Sequence, residues 1–477
     1  MTTYRRGEFH SFQGGGVDYL YLVPSAAIFA LDPVSKDLIS LLDDRELTRQ
    51  EIIRELTGRG YPQSEITDGL DELLGAHAIA SGDGFIPPSP EIPDGSFPLQ
   101  TVVMNVTNQC NLSCAYCYEY GEDRIASSDA KTRFMSEQTA RQTVDFLLGS
   151  SAGRRTVHLT FFGGETLLNF KVVKATIEYA RSRAVEAGKY IDFSMTTNAT
   201  MLNSEIINFL SENNVGVTVS IDGPKESNDR FRVFAGGKGS YEVIAPKIKE
   251  LIKTHRSRPI GARVTLTAQV VDVKEIYRHL TEEMGFDEVG FAPVTTSPVR
   301  LYAIGNQGLD HILSQFTELA DEYLESALKN QHHGFSNVSD TLQELHHGVS
   351  KAYPCGAGLG LVGVAPSGDI GLCHRFVDSD AGKIGSLDTG VDAAARAEHL
   401  KRGHVNNKYD CQSCWARPIC SGGCYHEAYV RYGDASHPNL HYCDWIRGWT
   451  EVCLGIYGEI AALNPKYLDR FDQRKSL

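Results

Sequence analysis

Long apolar runs and positive charge are both scarce in this 477-residue chain. No stretch reaches the roughly 18 consecutive apolar residues of a transmembrane helix. The start, Met1 to Arg6, leads into polar and glycine-rich sequence and not into an apolar signal segment. The net charge of −14 argues against nucleic acid as the main partner, because phosphate binding needs a basic surface. These absences predict a cytoplasmic protein with neither a membrane nor a nucleic-acid partner.

Cysteine is also absent until Cys110, and its later distribution is uneven. The chain has 11 cysteines, of which three lie between Cys110 and Cys117 and the rest lie from Cys355 onward. Disulfides are not expected in a reducing compartment, and the number of cysteines is odd. Cysteines buried singly in a core would not cluster in this way. The distribution therefore indicates metal ligation.

The length predicts about three folded units. Composition and periodicity divide the chain further, into six segments. They are a winged-helix-like domain at 1–85, a proline-rich linker at 86–98, a strand–helix core at 99–300, a helical bridge at 301–352, a cysteine-rich domain at 353–450, and a C-terminal helix and tail at 451–477.

The first segment combines short strands with three helices. Strands are predicted at Val17–Val23 and Ala26–Leu31, and a hairpin is predicted to close the domain at 76–85. Helices are predicted near 33–43, 49–57 and 65–75. Thr48 with Glu51 forms a capping-box pattern, and Ser64 is predicted to cap the third helix.

From 99 to 300, apolar β-branched runs alternate with helix-period segments. This alternation predicts an α/β fold with a parallel sheet that forms a partial (β/α)6 barrel. The predicted strands are Thr101–Thr107, Thr156–Phe162, Ile191–Thr197, Gly216–Ile221, Arg263–Val270 and Glu288–Val294. In such folds the chemistry lies at the carboxyl ends of the strands.

The first cysteine cluster follows the first predicted strand of this core. Cys110, Cys114 and Cys117 can bind three irons of a cubane 4Fe–4S cluster but cannot complete it, because such a cluster normally takes four cysteines. The fourth iron would be open to the amino and carboxylate groups of S-adenosylmethionine (SAM). A zinc site is the alternative, but zinc prefers four ligands.

The C-x3-C-x2-C run resembles the radical SAM superfamily, and motifs at later strand ends extend the resemblance. It implies that Tyr116 lies near the adenine and that a Gly-Gly-Glu turn lies near the methionine amino group. It also implies contacts with the ribose and the methionine carboxylate at the third and fourth strand ends. The implied SAM-site residues are Tyr116, Gly163, Gly164, Glu165, Thr197, Asn198, Ser220, Asp222 and Arg232.

The later cysteines resemble the SPASM extension of radical SAM enzymes that modify peptides and proteins. The resemblance implies three 4Fe–4S clusters, one that binds SAM and two auxiliary. The outer auxiliary cluster would be held by Cys411, Cys414, Cys420 and Cys443, and the inner one by Cys355, Cys373 and Cys424. Cys453 could complete the inner cluster, or it could be a buried structural thiol that leaves an iron open to a substrate thiolate. His374 is a candidate catalytic base, with a surface or supporting role as the alternative.

The whole architecture resembles the enzymes that mature quinohemoprotein amine dehydrogenase. This resemblance implies thioether crosslinks from cysteine sulfur to a methylene carbon of Asp or Glu in the small subunit of that dehydrogenase. It also implies an electron donor such as ferredoxin or flavodoxin. The acidic 1–85 segment would bind a leader peptide by strand addition rather than DNA. The alternatives are a sactipeptide-type synthase that attacks α-carbons, an electron-transfer protein, or a zinc-binding regulatory protein.

Overall fold

The computed structural model describes residues 2–82, 97–119, 121–127 and 132–472. The first of these ranges contains two small antiparallel sheets, ordered β5-β1-β6 and β2-β3-β4, and three helices. Its elements are β1 (Thr3–Arg6), β2 (Phe9–Gly14), β3 (Val17–Leu22), β4 (Ala27–Leu31), α1 (Pro33–Leu41), β5 (Leu47–Thr48), α2 (Arg49–Gly58), α3 (Gln63–Gly75) and β6 (Ile79–Ser81).

Most sequence predictions for this range are confirmed. The Thr48 side chain accepts from the Glu51 backbone N–H while Glu51 accepts from the Thr48 backbone, which completes the predicted capping box. The cap predicted at Ser64 is wrong, because α3 begins at Gln63, two residues earlier than predicted, and Pro62 at its N-cap gives no side-chain hydrogen bond. The first half of the predicted closing hairpin is strand β6, which pairs with β1, and the second half lies outside the described residues from residue 83 onward. The predicted linker lies outside the described residues except for 97 and 98.

The core of the molecule is a parallel sheet that forms a partial barrel, as predicted. Six parallel strands lie side by side in chain order and alternate with helices on one side. The elements are β7 (Thr101–Asn105), α4 (Glu137–Gly149), β8 (Thr156–Phe162), α5 (Phe170–Glu186), β9 (Tyr190–Thr197), α6 (Ser204–Glu212), β10 (Gly216–Ser220), α7 (Lys225–Phe231), α8 (Tyr241–Thr254), β11 (Ile260–Leu266), α9 (Val273–Arg278) and β12 (Glu288–Pro293).

Side-chain alternation explains why these strands form the barrel wall. In β8, Val157, Leu159 and Phe161 are buried, whereas the residues between them have more exposure. The buried set packs under the helices and the other set faces the barrel interior. The fifth strand runs from Ile260 to Leu266 and not from Arg263 to Val270, so the predicted start was three residues late.

The C-terminal part extends the sheet and covers one end of it. Strand β13 pairs in parallel with β7, and β14, β15 and β16 follow antiparallel, which gives ten strands in all. These elements are α10 (Asn306–Leu328), α11 (Ser336–His346), β13 (Leu361–Val364), β14 (Asp369–Gly371), β15 (Lys383–Ser386), β16 (Gly390–Val391), α12 (Ala393–Gly403), α13 (Tyr409–Gln412), α14 (Arg417–Cys420), α15 (Tyr425–Tyr432), α16 (Cys443–Leu463) and α17 (Asp469–Asp472).

The N-terminal elements pack directly on helix α16. Phe12, Tyr19 and Tyr21 belong to the main hydrophobic core, although the helices α1–α3 enclose a second core of their own. Backbones come close at this interface, since a Cβ on Gly14 would lie 2.6 Å from the Glu459 nitrogen. Among the described residues, no helix has the length and apolar character needed to span a membrane.

Candidate functional site

A cavity of about 430 Å³ opens at the carboxyl ends of strands β8 to β12. It brings together most of the residues that the sequence motifs predicted. Those that line it are Cys110, Cys114, Tyr116, Cys117, Gly163, Gly164, Thr197, Asn198, Ser220, Arg232 and His374. The predicted residues Glu165 and Asp222 lie just behind this wall, where both are buried.

The three thiols of the first motif lie close enough to influence one another. Burial raises the pKa of Cys110 and Cys114 to about 12, and the neighbouring thiolate charges add to the effect. Iron bound to these thiols would reverse this shift, because metal coordination deprotonates a thiol. Three thiols that each bind a separate iron fit a multi-iron cluster, whereas a structural zinc ion usually takes four protein ligands.

Glu165 organises the strand ends behind the cavity. Its carboxylate accepts from Thr197 Oγ1 at 2.6 Å, from the Asn198 backbone at 2.7 Å and from the Leu167 backbone at 3.0 Å. Burial raises the pKa of Glu165, while these hydrogen bonds oppose the rise. Asn198 in turn lies with its amide nitrogen 3.7 Å from Cys110 Sγ. The Gly-Gly-Glu turn thus positions the wall of the cavity.

Tyr116, Asp222 and Arg232 form one buried network. Tyr116 donates to Asp222, and Arg232 forms an ion pair with the same carboxylate at 2.9 Å. The guanidinium also lies over the Tyr116 ring, 5.6 Å from its centre. The Thr265 backbone donates to Asp222 as well. This carboxylate therefore connects β11 to the segment that carries Cys110, Cys114 and Cys117, here called the triad. A contact of Arg232 with the methionine carboxylate stays a prediction.

The later cysteines separate into two groups by their mutual electrostatic effects. Charges on Cys355 and Cys424 raise the pKa of Cys373, which reaches about 12 mainly through burial. A second group consists of Cys411, Cys414, Cys420 and Cys443, whose charges act on one another. This division has the same membership as the two ligand sets that the resemblance implied. Iron binding by either group stays a prediction.

Cys453 lies apart from both groups. It is fully buried on α16, where burial raises its pKa and a hydrogen bond with Thr341 opposes the rise. No other cysteine contributes to its pKa. This position disfavours Cys453 as the fourth ligand of the inner group and favours the alternative, a structural thiol.

His374 is held in aromatic surroundings next to the cavity. Its ring lies 4.6 Å from that of Phe162 and 5.9 Å from that of Tyr118, centre to centre. Burial and the positive charge of Arg375 lower the pKa of His374 to about 3. The imidazole is therefore neutral at pH 7 and takes up a proton only weakly, which disfavours the predicted role as a base.

A second cavity, of about 390 Å³, lies beside the first and is lined by the cysteines from Cys411 to Cys443. The two cavities share Arg263, Ala292, Pro293, Thr295 and Arg375. The sequence motifs did not identify the two arginines. Arg263 could have been found as a charged residue at an inward-facing position of a barrel strand. It was missed because the predicted start of that strand was three residues late.

Comparison with known proteins identifies the domain around the triad. Residues 104–267 match the radical SAM superfamily. This chain contains a radical SAM domain. Its family implies a 4Fe–4S cluster and SAM, which agrees with the cysteine motif in the wall of the cavity.

Similarity extends well beyond the radical SAM domain. A serine-type anaerobic sulfatase-maturating enzyme of Bacteroides thetaiotaomicron is 27% identical over 407 residues, 78% of this chain and 91% of that protein. The radical SAM cyclopropyl synthase TigE of Paramaledivibacter caminithermalis is 22% identical, over 72% of each chain.

Two solved structures share the fold. The structure of native anSMEcpe with bound AdoMet has a TM-score of 0.63 at 20% identity, and covers 79% of this chain and 100% of that one. Streptococcus suis SuiB bound to its precursor peptide SuiA has a TM-score of 0.51 at 14% identity. The SuiB match covers 92% of this chain and 99% of that one, so it includes the N-terminal elements.

Proposed function

We propose that this radical SAM enzyme forms thioether crosslinks in a ribosomally made peptide or small protein. The bond would join a cysteine sulfur to a methylene carbon of Asp or Glu, and the substrate would be the small subunit of quinohemoprotein amine dehydrogenase. One observation carries the proposal: the cysteine group nearest the radical SAM cavity has three members, and Cys453 does not join it. Relatives named for sulfatase maturation and cyclopropyl synthesis support catalysis on a peptide or protein.

The cofactor sites follow from the cysteine groups. Cys110, Cys114 and Cys117 would hold the SAM-binding cluster, and the two later groups would hold the inner and outer auxiliary clusters. A reduced 4Fe–4S cluster with an open iron cleaves bound SAM and supplies a 5′-deoxyadenosyl radical. Residues of this chain that line the cavity would hold SAM there: the Gly163–Gly164 backbone would admit the methionine moiety, and Tyr116 would lie beside the adenine.

A three-cysteine inner group leaves room for a substrate thiolate. Tyr118 lies between the two sites, since charges on both Cys117 and Cys373 affect its pKa, which burial raises strongly. A cysteine of the substrate that binds at the inner group would be held deprotonated and close to the radical SAM cavity. Per crosslink, one hydrogen atom passes from carbon to the 5′-deoxyadenosyl radical and one proton leaves the sulfur. The two electrons of this oxidation are taken up in the conversion of one SAM to methionine and 5′-deoxyadenosine.

Capture of the substrate would use the N-terminal elements. In the three-stranded sheet β2-β3-β4, strand β4 is an edge strand with partly exposed residues, and β2 on the other side packs against α16. An extended leader peptide could add a strand to β4 through main-chain hydrogen bonds. A ferredoxin or flavodoxin would supply electrons.

Anaerobic reconstitution followed by mass spectrometry tests this proposal. The holoenzyme should contain about twelve irons per chain, at four per cubane, and should release 5′-deoxyadenosine from SAM under reducing conditions. A co-expressed candidate peptide should become lighter by two hydrogens per crosslink, and fragmentation should locate the bond on a side-chain methylene. A bond on an α-carbon would support the sactipeptide-type reaction instead. Bound zinc and no cleavage would contradict the enzyme assignment.

A further inference from the structure

Arg263 and Arg375 meet where the two cavities join. Both line the cavity of the triad and the cavity of the later cysteines. Arg263 comes from β11, in register between Ser220 of β10 and Gly290 of β12, and its accessible surface faces the cavity. Arg375 lies two residues after Cys373, in the cysteine-rich part of the chain. Two cations from different parts of the fold thus face one enclosed space.

Arg375 is fixed in position without a carboxylate partner. It donates to Thr295 Oγ1 at 2.6 Å, and its guanidinium lies 4.8 Å from the centre of the Tyr118 ring. Burial lowers the pKa of Arg375, but the negative charges of Cys424, Tyr118, Cys373 and Glu427 raise it overall. Glu427 already pairs with Arg431 at 2.6 Å. Arg375 nevertheless lines both cavities.

Arg263 is in a different electrostatic position, since its side chain is exposed and no thiolate charge acts on it. Loss of hydration inside the barrel and the positive charge of Arg375 lower its pKa, and the charge of Asp340 opposes this only in part. Within the described part of the chain, no ion pair joins Arg263 or Arg375 to a carboxylate. Arg232, the third arginine of the cavity, differs because Asp222 neutralises it. Two cationic side chains that line the same cavities attract an anion there, and the shape of a guanidinium suits a carboxylate.

We propose that Arg263 and Arg375 bind the side-chain carboxylate of an acidic substrate residue and so determine which residue receives the crosslink. The inference rests on the proposed function and names its specificity residues. A guanidinium presents two parallel N–H donors that match the two oxygens of a carboxylate. The two arginines would therefore select a negatively charged side chain and also hold its carboxylate at one place in the cavity. The methylene carbons beside that carboxylate would then lie in the cavity that Cys110, Cys114 and Cys117 line.

Binding of two small probes to the reconstituted full-length enzyme tests this inference. The probes are N-acetylglutamate α-methylamide and its neutral glutamine analogue, titrated anaerobically by calorimetry. We expect the glutamate probe to bind at least about tenfold more tightly, because charge-assisted bonds to arginine are lost in the amide. Arg263→Gln and Arg375→Gln should each remove most of that preference. Arg375→Lys should keep part of it, since the charge remains but the fork is lost.

Arg183→Gln is the matched control, because Arg183 pairs with Asp145 on an exposed helix surface far from the cavity motifs. It should keep the full preference. Iron content and SAM cleavage are measured for every variant.

Equal binding of the two probes, or binding of neither, would overturn the inference. So would a preference that survives in Arg263→Gln while Arg375→Gln loses iron, since Arg375 would then serve only the inner cysteine group. A preference that depends on both arginines in a protein that never cleaves SAM would support the carboxylate site and contradict the proposed reaction, so the two failures are distinguishable.

Discussion

At the scale of single residues, Cys114 and Cys453 are the same amino acid in different electrostatic surroundings. Cys114 lies beside Cys117 and the Arg232–Asp222 pair, whereas Cys453 has Thr341 as its partner. Cys114→Ala should abolish SAM cleavage and lower the iron content by about a third, because one cubane of three is lost. Iron analysis and 5′-deoxyadenosine chromatography measure both effects.

Cys453→Ala is the control for that substitution. It should retain the iron and the cleavage, and it should lower the free energy of unfolding by only about 1 kcal/mol for a small buried side chain. Loss of iron in Cys453→Ala would mean that this thiol is a ligand after all. Retained cleavage in Cys114→Ala would contradict the assignment of the triad.

Glu165 gives a second prediction at this scale. Glu165→Ala would leave the backbone donors of Leu167 and Asn198 and the Thr197 hydroxyl without an acceptor, and each buried donor left unpaired costs about 1–3 kcal/mol. We expect Glu165→Ala to lower both Tm and SAM affinity. Glu165→Gln keeps one carbonyl acceptor and should be milder in both measurements. Equal effects of the two variants would mean that the charge, and not the hydrogen bonding, matters.

The residues of the site differ in how far the sequence could predict them. The cysteines and the Gly-Gly-Glu turn form local patterns that can be found in the sequence, whereas the grouping of the later cysteines is what the family resemblance implies. Arg263 and Arg375 come from a strand and a loop separated by more than a hundred residues, and only the packing of the cysteine-rich part against the barrel brings them together. A structural role for Cys453 was one of two alternatives that the sequence left open, and its buried position within α16, ten positions beyond Cys443, favours that alternative.

At the scale of elements, the turn after β8 depends on Gly163. Its φ is +145°, and an added Cβ would lie 2.3 Å from the Thr107 carbonyl oxygen. Gly163→Ala should therefore displace the backbone beside the triad, weaken SAM binding severely and lower Tm. Equilibrium dialysis with SAM and thermal denaturation measure the two effects.

Gly149→Ala is the matched control for this turn. Gly149 is the last residue of α4, and an added Cβ would meet nothing within 4 Å. This variant should keep SAM affinity and should be neutral or slightly more stable, by up to about 1 kcal/mol, because alanine is the better helix former. A Gly163→Ala protein that binds SAM like Gly149→Ala would contradict the close backbone approach.

Long helices and strands with a clear hydrophobic periodicity could be predicted from the sequence, and short ones could not. The six barrel strands and the three N-terminal helices carry enough buried positions for their period to be read. Strands β13 to β16 have two to four residues each, so no period can develop within them. Strand β1 is likewise short, and its pairing with β5 and β6 is set by the tertiary fold.

At the scale of the whole molecule, the N-terminal elements pack directly against the cysteine-rich part. The rings of His10 and Trp415 stack with their centres 3.7 Å apart, and Arg417 pairs with Glu8. Trp415 directly follows Cys414 of the outer group. A truncation before residue 86 would therefore expose core surface on α16 and disturb the outer group, so it cannot isolate substrate capture from catalysis.

Proline substitutions in the edge strand β4 separate the two instead. Neighbouring residues of a strand point their N–H groups to opposite sides, so only one of Ile28→Pro and Phe29→Pro removes a donor that faces outward. That variant should raise KM for a leader-bearing peptide while the rate of SAM cleavage without peptide stays unchanged. The other variant breaks the pairing with β3 and should lower Tm. A peptide without its leader is the control. Its KM should not change in either variant, provided that the variant is folded. If the outward-facing variant reduced SAM cleavage without peptide, capture and catalysis would not be separate, and strand addition at β4 would be the wrong account of how the substrate is held.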